Sequence, residues 1–116
     1  MSIPNTTQLN YISEGDLSGN VTGATKDVSA HPNFSFSASW TATGSPVGDF
    51  TIEVSNDDSV WETVTDSTIA AGGGAGSHLW DIDNIRAKYV RLKYTSSSGG
   101  TGALLDAHFV IKGGVV

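Results

Sequence analysis

Alternation between apolar and polar residues is the strongest pattern in this chain. In residues 34–42, FSFSASWTA, every second position is apolar and serine or threonine fills the others. A period of two places one face of a β-strand in a core and the other in water. The alternation resumes in residues 50–54, FTIEV, after the turn-rich stretch TGSPVG. These two segments predict a β-hairpin with an aromatic inner face, which a second layer has to cover.

Shorter segments of the same kind predict further strands along the chain. They lie at 9–17, where a turn at Glu14-Gly15-Asp16 is expected to break the strand, and at 20–23, 25–29, 60–64, 68–70, 79–82, 89–95 and 105–112. No segment has a convincing helical period. We therefore predict an all-β fold, an antiparallel β-sandwich of jelly-roll type with about eight strands and no significant helix. Residues 1–8 are expected to form a flexible N-terminal arm, and residues 9–116 a single sandwich domain. Trp40 and Trp61 are expected to bury large apolar areas.

The composition argues against several classes of partner and of chemical site. Twelve acidic residues against six basic ones give a net charge of −6, which argues against nucleic acid as a main partner. The 116 residues include no cysteine, so disulfides and thiolate metal sites are excluded. There is no apolar run long enough to span a membrane and no recognisable signal peptide at MSIPNTTQLN. Synthesis in a cytoplasm is therefore expected.

No set of residues in the sequence predicts catalysis. His31, His78 and His108 are scattered without the spacing of metal ligands, and no nucleophile elbow is present. We therefore expect no enzymatic activity and no cofactor. One metal hypothesis stays open, because two acidic groups at loop ends could coordinate a structural calcium ion. These groups are Asp57 with Asp58, and Asp81 with Asp83; turn and strand-end roles are the alternative.

Basic residues are concentrated in one short segment. Four of the six lie within eight positions, at Arg86, Lys88, Arg91 and Lys93. They predict either a docking surface for an acidic partner or one solvated strand in an acidic protein. Arg91 and Lys93 are expected to pair across strands with carboxylates such as Glu53 or Asp106. Trp80 is the other candidate partner-binding residue, as an exposed platform if it does not fill the core.

Two segments together resemble discoidin-like domains, the coagulation-factor C-type jelly rolls. The first is FTIEVSNDDSVWETV, with Ser55-Asn56-Asp57-Asp58 followed by Trp61. The second is IRAKYVRLKYT, with Ala87-Lys88-Tyr89-Val90-Arg91-Leu92. In the family pattern a glycine occupies the position of Asp58. The shared motifs are structural, and the resemblance implies a discoidin or galactose-binding-like jelly roll.

A longer resemblance, over residues 34–113, is to small proteins encoded by tailed bacteriophages. It covers the W-T-x-x-G-x-P-x-G-x-F stretch, the SNDD turn and the late strand YVRLKY. It implies a non-enzymatic virion protein, such as a capsid decoration or auxiliary protein or a tail-associated one. Its partners would be other virion subunits, and a symmetric homo-oligomer such as a trimer is expected. The alternative is a carbohydrate-binding module for surface glycans, which would need Trp80, Tyr11 or Tyr94 exposed at one end of the sandwich.

Overall fold

Ten β-strands form the regular structure of residues 6–29, 33–83, 85 and 87–112, which are the residues that the computed structural model describes. The strands are β1 (Thr6–Asp16), β2 (Val21–Thr22), β3 (Lys26–Asp27), β4 (Phe34–Trp40), β5 (Val47–Ser55), β6 (Glu62–Thr63), β7 (Ile69–Ala70), β8 (Gly76–Ile82), β9 (Tyr89–Ser98) and β10 (Leu104–Lys112). No helix long and apolar enough to cross a membrane occurs among these residues.

The strands form two antiparallel sheets stacked face to face. Sheet A has the order β1-β10-β4-β8, and sheet B has the order β2-β9-β5-β6. Two further short strands complete sheet B, since β3 pairs with β9 and β7 pairs with β5. The predicted all-β antiparallel sandwich is thus confirmed. The structure has ten strands where about eight were expected. Four of the ten, β2, β3, β6 and β7, have only two residues each.

The predicted β-hairpin between residues 34 and 54 is wrong. Strand β4 pairs with β10 and β8 in sheet A, whereas β5 pairs with β9, β6 and β7 in sheet B. The connection between them crosses from one sheet to the other, and positive φ angles at Gly44 (70°) and Ser45 (53°) turn the chain there. The rings of Trp40 and Phe50 therefore meet across the core, with centroids 4.4 Å apart, instead of lying side by side on one sheet.

The inward positions of both sheets form one aromatic core. Phe36 lies between Phe34 and Phe109, with ring centroids 5.8 and 4.8 Å away, and these edge and tilted contacts are favourable arrangements for aromatic rings. The predicted alternation is confirmed for β9 and β10, whose inward side chains are buried: Val90, Leu92, Tyr94, Leu105, Ala107 and Phe109. Ala42 departs from the pattern, because it lies beyond the end of β4 and is exposed.

Tyr11 of sheet A ties that sheet to the backbone of sheet B. Its hydroxyl donates to the carbonyl oxygen of Ala24 at 2.5 Å and accepts from the N–H of Leu92 at 3.2 Å. Burial raises the pKa of Tyr11 to about 12, since the charged phenolate would be poorly solvated there. Gly23 leaves room for the hydroxyl: a Cβ atom at this position would lie only 2.3 Å from the Tyr11 oxygen.

A second tie runs through Trp80 and Ser67. The indole N–H of Trp80, in β8, donates to the carbonyl oxygen of Ser67 at 2.7 Å. The hydroxyl of Ser67 in turn accepts from the backbone N–H of Ile52 in β5, at 3.1 Å. Ser67 is only 2% exposed, so both hydrogen bonds are shielded from water. The edge of sheet A is thereby fastened to the middle of sheet B.

The N-terminal segment differs from its prediction. Residues 6–8, expected to belong to a flexible arm, begin β1 and pair with β10 from Thr6 opposite Lys112. Residues 1–5 lie outside the described residues. The turn predicted around Glu14 does not end the strand either: β1 continues to Asp16 with two register shifts, and Glu14 has a φ of 52°. Pairing with the long strand β10 keeps this stretch extended, which local turn propensity could not reveal.

Candidate functional site

The predicted basic segment forms part of the outer face of sheet B. Tyr89, Arg91 and Lys93 are alternate residues of β9, so their side chains point away from the core. Lys88 lies just before the strand, exposed, with its ammonium 5.2 Å from the centroid of the Tyr89 ring. Arg86, the fourth predicted basic residue, lies outside the described residues. We call Lys88, Tyr89, Arg91 and Lys93 the basic strip.

Arg91 is held rigidly within the basic strip. Its Nε atom donates to Oε1 of Glu53 on the adjacent strand at 2.8 Å, which confirms the predicted pair of Arg91 with Glu53. The described residues show no such pair for Lys93, and Asp106 lies in sheet A. Its guanidinium carbon lies 3.9 Å from the ring centroid of Trp61, within the range of a cation–π contact. The two charged side chains are 19% and 14% exposed. Arg91 therefore contributes a fixed planar surface whose charge is largely offset by Glu53.

Trp61 was expected to bury a large apolar area, but it is only half-buried, on the outer face of sheet B beneath the guanidinium of Arg91. The reason is that Trp61 follows the turn between β5 and β6, at the edge of the sheet and outside the space between the sheets. Within the described residues Lys88 and Lys93 form no ion pair, although Lys88 lies near enough to Asp27 for the two charges to interact.

The predicted aromatic platform is not formed by the residues proposed for it. Trp80 is 3% exposed and Tyr94 is 0% exposed, so both belong to the core. Tyr11 is half-buried, and its hydroxyl is occupied by the two hydrogen bonds to sheet B. Inward positions of strands account for all three placements. A ligand approaching the sandwich from outside would meet other residues.

The acidic turn after β5 is organised by its own backbone. Oδ1 of Asp57 accepts hydrogen bonds from the N–H groups of Ser59 and Val60, each at 2.9 Å, and these hold the pKa of Asp57 below its usual value. Asp58 has a φ of 60°, in the left-handed region that favours the glycine of the family pattern. Among the described residues, no group of three or more histidine and acidic side chains is placed to hold a metal ion.

A groove with a volume of about 480 Å³ lies on the outer face of sheet A. Outward residues of three neighbouring strands line it: Ser37 and Ser39 of β4, Ser77 and Leu79 of β8, and Asp106 and His108 of β10. We call it the serine groove. The strand register places Ser37 between Leu79 and His108, and Ser39 between Ser77 and Asp106.

The chemistry of the serine groove is that of a polar binding surface. Its three serine hydroxyls make no hydrogen bond to another described residue, so each can donate to and accept from a ligand. Asp106 already accepts the backbone N–H of Glu14 at 3.0 Å, which fixes its carboxylate at one end. Leu79 adds an apolar contact, because 62% of it is exposed. His108 and His78 both line the groove, and the ring of His78 also contacts Trp80, with centroids 4.7 Å apart; His31 lies outside the described residues.

Sequence reasoning missed the serine groove. The one signal was that every outward position in the middle of β4 is serine, at 35, 37 and 39. The pairing of β4 with both β8 and β10 brings these residues beside Leu79 and His108, and that pairing has no local signature.

A second cavity of about 270 Å³ lies beside the acidic turn and includes Asn56, Val60 and Ala87.

Comparisons with known proteins agree with this architecture. The sequence matches the F5/8 type C domain over residues 33–107, more than half of the chain. No curated protein matches the chain in sequence. Among solved structures, the SPBc2 prophage-derived protein YomS is 14% identical, with a TM-score of 0.60 and 96% of each chain covered.

Two larger structures are also similar. The PBSX exported protein XepA is 14% identical with a TM-score of 0.64; the match covers 96% of this chain but 38% of XepA. A chain of the infectious bursal disease virus Gx strain is 16% identical with a TM-score of 0.51, covering 99% of this chain and 34% of the viral one. At such identities these likenesses concern the fold alone. With its two antiparallel sheets and the sequence match over residues 33–107, the chain belongs to the F5/8 type C, or discoidin-like, domain family.

Proposed function

We propose that this chain is a non-enzymatic bacteriophage virion structural protein, a capsid decoration or auxiliary protein or a tail-associated one, which binds other virion subunits. The observation that carries the proposal is the likeness to the prophage-derived protein YomS, which extends over 96% of both chains. The match covers nearly all residues of each of the two chains, and not one domain of a larger protein. The likeness to part of XepA, of PBSX, adds to this support.

The basic strip is the surface we assign to subunit contact. Lys88 and Lys93 place two positive charges on one face of a protein whose net charge is negative. The stack of Arg91 on Trp61 adds a rigid, flat surface to the same face. Arginine and aromatic residues are enriched in protein interfaces because they bury large areas with little loss of conformational entropy. An acidic surface on a neighbouring subunit is the expected partner. Positive charge also speeds encounter with such a surface at low salt.

Charge reversal tests this function. Particles from the phage that encodes the chain are purified, stripped of it and incubated with recombinant protein. The double variant Lys88→Glu/Lys93→Glu is expected to bind at least about tenfold more weakly than the unchanged protein, since like charges would then face each other. Arg91 is left unchanged because its loss would disturb the pair with Glu53. Bound protein is quantified by sedimentation with the particles.

The control is Thr101→Glu, which adds a negative charge at an exposed position in the loop before β10, outside the basic strip, without removing a cation. Its binding should stay close to that of the unchanged protein. Purified particles that lack the chain altogether would overturn the virion role. Particles that contain it and bind the double variant normally would instead overturn the basic strip as the docking surface.

The serine groove favours a second candidate function, attachment to surface glycans. Its unpartnered hydroxyls, the Asp106 carboxylate and the exposed Leu79 match the mixed polar and apolar surface of a sugar. A glycan array should then yield a ligand whose affinity, measured by titration calorimetry, falls at least about tenfold in Ser39→Ala/His108→Ala. Lys93→Ala, on the opposite sheet, is the control. A blank array at high protein concentration would contradict glycan binding.

A further inference from the structure

The free edges of the two sheets differ in how well they are protected. A strand edge exposes unpaired N–H and C=O groups that can bind another strand, and proteins blunt such edges by shortening or bulging them. In sheet B, the outermost strands β2, β3, β6 and β7 have two residues each. In sheet A, β1 forms one edge and carries two register shifts against β10. These three edges, two of sheet B and one of sheet A, are poor templates for a further strand.

Strand β8, at the other edge of sheet A, lacks all of these protections. It has seven residues, GSHLWDI, and pairs with β4 over its whole length without a register shift. It contains no proline and no lysine, the residues that commonly blunt an edge. Among the described strands, β8 pairs with β4 alone, so its other side is the edge of sheet A. Leu79, in the middle of the strand, is 62% exposed.

The sequence of β8 is self-complementary in an antiparallel arrangement. If two copies pair about a two-fold axis at Leu79, Leu79 lies opposite its own copy on the outer face. Ser77 then lies opposite Asp81, where its hydroxyl can donate to the carboxylate, and no charge faces a like charge. On the inner side, His78 lies opposite Trp80, and these residue types already form an edge-to-face contact at 4.7 Å within one chain.

We propose that β8 pairs with β8 of a second copy of this chain, about a two-fold axis at Leu79. The two four-stranded sheets then form one continuous eight-stranded sheet, and the exposed leucines cover each other. Ser77 and Leu79 also line the serine groove, so the grooves of the two copies lie next to each other across the axis. The proposal does not depend on the virion function, because it follows from the edge itself.

Cysteine cross-linking tests both the contact and its register. The chain has no cysteine, so Leu79→Cys introduces one thiol per copy. Opposite Cβ atoms in an antiparallel pair lie about 4.5 to 5.5 Å apart, close to the separation in a disulfide. Mild oxidation should convert most of this variant to a covalent dimer. Val60→Cys is the control, because Val60 is 65% exposed and lies in the loop between β5 and β6; this variant should form no covalent dimer.

Reversible association is measured in parallel by sedimentation velocity over a range of concentrations. Leu79→Lys should weaken the dimer at least about tenfold, because two ammonium groups would meet at the axis. Val60→Lys should leave the dimer unchanged. Leu79 and Val60 are both exposed, so both variants should fold, which circular dichroism can check. A protein that is monomeric at every concentration, equal cross-linking of both cysteine variants, or a dimer insensitive to Leu79→Lys would each overturn the proposal.

Discussion

Replacing Gly23 with alanine is expected to destabilise the protein by about 3 kcal/mol or more. The new Cβ would lie 2.3 Å from both the hydroxyl oxygen and the Cε2 atom of Tyr11. The ring has little room to move, since its centroid is 5.0 Å from that of Phe36 in an edge contact. Moving Tyr11 would break its bonds to Ala24 and Leu92 and leave the N–H of the buried residue Leu92 without its partner. Urea unfolding measures the loss.

Two comparisons isolate the contact between Gly23 and Tyr11. Gly19→Ala should change the unfolding free energy by less than about 0.5 kcal/mol, because a Cβ at that position has no neighbour within 4 Å. In a Tyr11→Leu background, the shorter side chain leaves the space open. The further cost of Gly23→Ala should then fall by about 2 kcal/mol. Strictly additive costs would show that the steric contact with Tyr11 is not the cause.

Replacing Trp80 with alanine is expected to cost about 4 kcal/mol of unfolding free energy. The change removes a large buried side chain, 3% exposed, and leaves the Ser67 carbonyl without its indole donor. Ser67 also receives the N–H of Ile52, so loosening it disturbs the contact between the two sheets. Thermal and urea unfolding measure the effect.

Trp61→Ala is the matched control, since it removes the same side chain from the outer face of sheet B. Its cost should be about 1 kcal/mol, mainly from the lost stack with Arg91. At temperatures where both variants remain folded, Trp80→Phe should bind particles as well as the unchanged protein, because Trp80 has almost no exposed surface. Equal destabilisation by the two alanine substitutions would contradict the placement of Trp80 in the core.

The candidate surfaces were predictable from sequence only in part. The grouping of Arg91 with Lys93 and the pair with Glu53 followed from alternation along one strand and from charge complementarity. The stack of Arg91 on Trp61 did not, because Trp61 follows β5 in the chain and comes close to β9 only through the pairing of β5 with β9. The serine groove was missed for a related reason. Its residues come from β4, β8 and β10, which are far apart in the chain and become neighbours only through strand pairing.

By itself, the sequence determined which stretches are strands and which of their faces are buried. The period-two pattern of Phe34, Phe36, Ala38 and Trp40 requires one apolar face whatever the partner of the strand. Only the tertiary structure decided which strands are neighbours. A hairpin and a crossing between stacked sheets bury the same residues of β4 and β5, so the pattern cannot tell them apart. The choice depended on contacts with β10 and β9, which lie 34 or more residues away along the chain, and the same pairing left β8 at the edge of sheet A.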